Sequence, residues 1–240
     1  MGEPRAGAKA AARAATRRAL LDAATELLFE RPPPDPVAAL RVMDVVRRAD
    51  PPRTNGAFYN IWPTQEEFRR DVVHHVLSPD RIEVHQRTLD AATHLAGTGE
   101  ATTLADAVRR LADVNFAGMD EDPALRLKHV LWGRGAVDPE VRRLLAGLYT
   151  GAGAGILPVY EHTLAHVGRR VRAPFTIEHL VTAVMALAEG LHQRRSVQSD
   201  AVPDDLGAPP TDEADAGAAW SLFATATYLL VDGMTEPAPG

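Results

Sequence analysis

Residues Arg41 to Trp62 read RVMDVVRRADPPRTNGAFYNIW, and this stretch decides the fold. Val42, Val45, Val46 and Ala49 recur at helical spacing, so a short helix is expected over about Ala38–Ala49. Asp50-Pro51-Pro52-Arg53 breaks it, because proline lacks an amide donor and restricts the residue before it. A second short helix is expected over about Thr54–Trp62, closed by Pro63. In it Phe58, Ile61 and Trp62 fall at i, i+3 and i+4 and face inward. Asn55, Ala57 and Tyr59 are left outward. Two short helices joined by a tight turn form a helix-turn-helix, whose second helix is a candidate for the major groove of DNA.

The outward residues carry suitable chemistry. Asn pairs bidentately with adenine, a tyrosine hydroxyl bonds phosphate, and an alanine methyl touches the thymine methyl. Gly56 removes a side chain where the backbone must approach closely. Arg53 and Thr54 sit at the helix start, where backbone amides favour phosphate. A hairpin that merely packs needs neither Gly nor Asn at the exposed start of a short helix, since both lower helix propensity.

Upstream, Leu20, Leu21, Ala24, Leu27 and Leu28 mark one buried stripe of a helix from about Ala11 to Glu30, stopped by Arg31-Pro-Pro-Pro-Asp-Pro36. Downstream, Thr64 and Glu67 form a capping box before Phe68, Val72, Val73, Val76 and Leu77. The remainder also reads as helices. Breaks are expected at Gly97-Thr98-Gly99 and over residues 197–213. Asp138-Pro139 and Thr176 are expected helix starts, and a last helix is expected from about Glu213 to Asp232. Gly151, Gly153, Gly155 and Pro158 are expected to weaken or kink the helix that follows Asp138. The Gly147–Gly155 stretch either thins a helix beside a cavity or lets helices approach closely.

Composition agrees with this pattern. The 240 residues include 41 Ala and only 4 Ile, with aromatics at 5%, which disfavours a sheet-dominated fold. Cysteine is absent, so disulfides, thiolate zinc sites and cysteine nucleophiles are excluded. No apolar run approaches the ~20 residues of a spanning helix, and no apolar leader region follows the basic N-terminus; a cytoplasmic protein without membrane contact is expected. The net charge of −6 conceals an asymmetry. Residues 1–76 hold 12 basic and 10 acidic side chains, whereas residues 77–240 hold 14 and 22. A basic front on an acidic body fits a front that meets a polyanion. Residues 1–10 are expected as a flexible basic arm.

Residues 16–77, about a quarter of the chain, resemble the N-terminal DNA-binding domain of the TetR/AcrR family of transcriptional regulators. The matching stretches are Leu21–Phe29 (LDAATELLF), Val45–Ala49 (VVRRA) and Thr54–Phe68 (TNGAFYNIWPTQEEF). The resemblance implies base-reading positions at Asn55, Gly56 and Ala57, and a phosphate-contacting tyrosine at Tyr59. Gln65 stands where Lys or Arg often binds phosphate, Arg41 where a small hydroxyl cap is usual, and Asp50 in place of a turn glycine. With Arg53, Thr54 and Asn60, these residues make up the candidate DNA-contact set. The expected fold is all-α: a three-helix helix-turn-helix domain over 11–77, a helical ligand-binding and dimerisation domain over 78–234, and a loose tail at 235–240.

The resemblance further implies a homodimer that binds double-stranded DNA, is released by a small-molecule effector, and requires no cofactor or metal. Phe116, His129, Trp132, Tyr149, Tyr160, His162 and Met185 are candidate pocket residues, mixing apolar bodies with polar handles. Ala183, Val184, Leu187, Ala188 and Leu191 together with Trp220, Phe223, Ala224, Thr227 and Leu230 exceed one buried stripe on each of two helices, which suits a four-helix dimer interface. Two rivals stand beside this reading. A helical adaptor would bind only protein. A di-iron bundle enzyme would need two Glu-x-x-His motifs, but Glu189-Gly-Leu-His192 has no second; Asp71-x-x-His74 is nearest. No phosphate loop, nucleophile elbow or H-E-x-x-H occurs, and a non-enzyme is expected.

Overall fold

The computed structural model describes residues 3–30, 37–78, 83–98, 103–211 and 217–239. Its helices are α1 (Glu3–Glu30), α2 (Val42–Arg48), α3 (Asn55–Tyr59), α4 (Gln65–Val76), α5 (Glu83–Thr98), α6 (Leu104–Glu121), α7 (Pro123–Gly135), α8 (Pro139–His166), α9 (Ile177–Val197) and α10 (Leu222–Met234). Two three-residue strands, β1 (Arg169–Val171) and β2 (Thr235–Pro237), pair antiparallel. Among the described residues the fold is all-α apart from this pair.

The chain divides into two compact units, residues 1–81 with 126–145, and residues 82–125 with 146–240. The first unit is thus discontinuous and larger than the expected 11–77. Within it Arg70 of α4 meets Glu140 of α8 at 3.6 Å. Its core is built from the expected stripes: Leu20, Leu21, Ala24 and Leu28 of α1, Val45 and Val46 of α2, and Phe68, Val72 and Val76 of α4 are all buried. Phe58, Trp62 and Phe68 pack edge-on or tilted, with centroids 4.8–5.3 Å apart.

In the second unit α10 lies against α6 and α9, and α5 against α6. Phe116 and Phe223 stack at 4.9 Å. A separate cluster joins Ala92, Ile156, Val159 and Val181, with Tyr160 and Met185 packed on it.

Several expectations need correction. α1 begins at Glu3, so residues 3–10 extend a helix instead of forming an arm; the alanines of residues 8–15 supply the propensity. α2 is confined to Val42–Arg48 because Val37–Ala39 form a turn, to which Arg69 Nη2 donates at Ala38 O (2.8 Å). α5 continues through Gly97 and Thr98, where the Thr98 hydroxyl donates to His94 O at 3.0 Å. α8 runs unbroken across its glycines and Pro158; Leu148, Ala152, Ile156, Val159 and Leu164 bury one face along this length, so packing outweighs propensity. A Cβ at Gly147, Gly153 or Gly155 would meet nothing within 4 Å, so close helix approach does not explain them. It does explain Gly135, where a Cβ would come 2.9 Å from Leu145 Cδ1.

α10 starts only at Leu222, behind the cap Ser221, whose hydroxyl accepts from Ala224 N. The tail is held at 235–237 by β1 and by ion pairs Arg169–Asp232 and Arg170–Glu236, both 2.7 Å. Expected helix starts at Asp138, Thr64 and Thr176 are all observed as side-chain caps. The proline run 31–36, Gly99 and residues 213–216 of the expected last helix lie outside the described residues.

Candidate nucleic-acid interface and ligand cavity

The geometry of the helix-turn-helix follows from what anchors it. Val42, Val45 and Val46 fasten α2 to the core, and Arg53 N–H donates to Val46 O at 2.8 Å across the turn. Thr54 then caps α3 by accepting from Ala57 N at 3.2 Å. Phe58 is 0% exposed and Trp62 3%, which pins the inner face of α3. Asn55, Gly56, Tyr59 and Asn60 lie exposed on the other face, while Ala57 and Arg53 are half-buried. Arg41, at the N-cap position of α2, and Gln65, first in α4, are also exposed. α3 has only five residues and its cap hydroxyl is engaged by Ala57, so the helix start expected to hold phosphate offers less than the sequence suggested.

Surrounding groups hold this face still. Arg13 of α1 donates to Asn60 O at 3.0 Å, at the C-terminal end of α3. Asp71 of α4 accepts from Trp62 Nε1 at 2.6 Å and from Arg17 at 2.7 Å. Burial alone raises the Asp71 pKa; the two hydrogen bonds and the Arg17 charge outweigh it and leave the carboxyl below its ordinary value. Arg48 is engaged at the surface with α1, both guanidinium nitrogens on Glu30 at 2.7 and 2.9 Å. One neighbour escaped the sequence reading. Met43 of α2, 45% exposed, sits beside α3, and Asn55 Nδ2 donates to its sulfur at 3.3 Å. An apolar residue on a helix expected to bury its apolar side gave no such signal.

The seven candidate pocket residues do not converge. Trp132 is 62% exposed and, with half-buried His129, belongs to the first unit's segment 126–145. His162 is exposed. Tyr149 donates its hydroxyl to Glu189 at 3.0 Å. Tyr160 and Met185 share the Ile156 cluster, where burial pushes the Tyr160 hydroxyl pKa up. The Glu189-x-x-His192 motif is absorbed in packing, His192 lying edge-on to Phe116.

Of the seven, Phe116 lines a cavity of ≈ 630 Å³ among the described residues of the second unit. Its polar wall is Arg109 and Asp113 of α6, Arg195 of α9, Asp204 and Ser221. The volume suits a small organic ligand. The four charged residues were not legible as a group, because they come from three separated stretches of chain.

The chain thus carries a helix-turn-helix in its first unit and an all-helical, cavity-bearing second unit. Residues 104–208 match the family model of the C-terminal domain of BetI-type transcriptional repressors, a TetR-type domain. Salmonella enterica GusR has a similar structure, with TM-score 0.56 and 16% identity over 91% of this chain and 94% of that one. A Rhodococcus sp. protein assigned to the TetR family of transcriptional regulators is similar at TM-score 0.50 and 16% identity, covering 91% and 97%. No curated protein matches in sequence. Residues 104–208 thus match a TetR-type C-terminal domain, and the chain shares the fold of these solved regulators. No described helix is long and apolar enough to cross a membrane.

Proposed function

We propose that the protein binds an inverted-repeat DNA operator as a homodimer, represses transcription, and is released when a small molecule enters the cavity beside Phe116. The observation that carries DNA binding is the split character of α3: Phe58 sealed in the core, with Asn55 and Tyr59 presented to solvent four residues apart. Asn55 reads a base, Tyr59 bonds a phosphate, and Arg41 and Gln65 flank them. A core this tight holds the reading face in register with the groove.

Dimerisation is supported by what α9 and α10 leave uncovered. Val184, Ala188, Trp220, Phe223, Ala224 and Thr227 are spent in the chain's own core. Ala183, Leu187, Leu191 and Leu230 remain half-exposed, and Leu229 is 54% exposed. Pairing these stripes across a two-fold axis places two reading helices for half-sites about 34–36 Å apart or a multiple of that spacing. The ligand releases DNA only if it binds the released state more tightly than the DNA-bound one.

The test is an electrophoretic shift with duplexes carrying an inverted repeat, at two salt concentrations. Specific binding that weakens steeply with salt is expected. Absence of DNA binding, with capture of a protein partner instead, would favour the adaptor.

A further inference from the structure

The polar wall of the cavity carries a charge preference for its ligand. Arg195 holds its guanidinium carbon 4.1 Å from the centroid of Phe116. Phe223 stacks on the same ring at 4.9 Å and 22° between planes. With Arg195 and Phe223 both packed on it, Phe116 is only 3% exposed. A cationic ligand therefore finds no open aromatic face at Phe116; the protein's own guanidinium already occupies it.

Arg195 is the anchor for the opposite charge. Its side chain is only 18% exposed, whereas Asp204, one of its partners and 3.1 Å away, is 76% exposed. An ion pair with so exposed a member is weakly held, but the guanidinium keeps its charge in any state. Arg109, on the same cavity, is tied within α6 to Asp106 at 3.3 Å and Asp113 at 3.8 Å. Burial, and secondarily Asp204, holds the Asp113 carboxyl pKa above its ordinary value against the pull of Arg109. Asp113 itself lines this wall, so further negative charge on its side is opposed, which disfavours a dianion. The rest of the wall is apolar or small: Ala117, Ala218 and Ala219.

The geometry points to a small organic monocarboxylate as the ligand, its carboxylate replacing Asp204 on Arg195 and its apolar body lying along the alanine wall. This rests on the proposal that the cavity is the effector site. The exchange has a mechanical outlet. Asp204 adjoins Pro203, whose carbonyl accepts from Leu222 N at 2.9 Å, and Leu206 N donates to Trp220 O at 2.7 Å. Both bonds meet the start of α10, the helix that carries Leu229, and its cap Ser221 lines the same cavity. Freeing Asp204 thus acts on the seat of α10.

Titration calorimetry on the full-length protein tests the inference with hexanoate, benzoate and phenylacetate as probes. Benzamide, choline and inorganic phosphate serve as contrasts. At least one carboxylate is expected to bind, less tightly as salt rises, and the contrasts to bind more weakly. Asp204→Asn removes one competitor and should tighten carboxylate binding about two- to fivefold, the range of an exposed ion pair. Arg195→Lys, with helicity checked by circular dichroism, should weaken it on the order of tenfold through loss of the planar fork. Equal or tighter binding of choline, benzamide or phosphate, looser binding by Asp204→Asn, or no carboxylate binding at millimolar concentration overturns the inference. Operator release is measured separately, with a duplex selected from a random pool. Carboxylate binding that leaves this complex intact would support the ligand class and remove the effector role.

Discussion

Asn55 and Tyr59 share one exposed face, yet their deletion should read out differently. Asn55→Ala is expected to lower discrimination at one base position by about 1–3 kcal/mol while sparing binding to unrelated DNA. Tyr59→Phe should weaken binding to every sequence and leave the ranking of operators unchanged. Competition shifts against a set of single-position operator variants check both; a uniform loss for Asn55→Ala would refute its base-reading role. Asp71 makes a different kind of prediction. Its carboxyl is depressed in the folded protein, so its contribution is present above the ordinary aspartate value of 3.8 and is lost as pH falls through the lower folded value. Asp71→Asn should therefore lower the melting temperature at neutral pH and flatten the loss of stability in acid, as followed by thermal melts over a pH series.

At the scale of elements, α3 depends on its cap more than a longer helix would. With five residues it has almost no internal hydrogen bonding to spare. Thr54→Ala frees the Ala57 amide and should cost about 1 kcal/mol. It should also reduce operator affinity, because the reading face loses its fixed orientation; denaturant melts and shift assays on the same variant compare the two effects. Phe58→Ala, which hollows the cluster with Trp62 and Phe68, should cost about 3–5 kcal/mol and abolish DNA binding through the fold. The β1–β2 pair acts at this scale too, tying the end of α10 to the turn after α8 through Arg169, which bonds both Asp232 and Thr235.

For the molecule as a whole, the division of charge and the uncovered stripe on α10 set its behaviour. A basic front on an acidic body predicts DNA affinity that falls linearly, in logarithmic terms, with salt. Leu229 is the largest apolar side chain that α10 leaves exposed. Leu229→Glu buries a charge if the stripe pairs with its copy. The expected result is a monomer in light scattering with unchanged helicity and lost operator binding. A variant that stays dimeric would move the interface elsewhere.

Local order in the chain was enough to establish the helix-turn-helix. Phe58 and Trp62 at one spacing, Asn55 and Tyr59 at another, and the caps at Thr64, Asp138 and Thr176 are statements about neighbours a few residues apart, and periodicity and hydrogen-bonding chemistry act at that range. The same logic failed where distance in sequence mattered. The glycines and Pro158 of α8 looked like weak points in one long helix, and burial against distant helices keeps it continuous from Pro139 to His166. The tail looked loose, but residues 235–237 find their partner at 169–171, far back along the chain. The pocket candidates were chosen for residue type, and of them Phe116 lines the cavity beside α6 and α9. Arg109, Arg195 and Asp204 become neighbours only through the packing of α6, α9 and the segment before α10. Local propensity decides which elements form; which side chains meet is decided by burial between elements, and that information exists only in the folded chain.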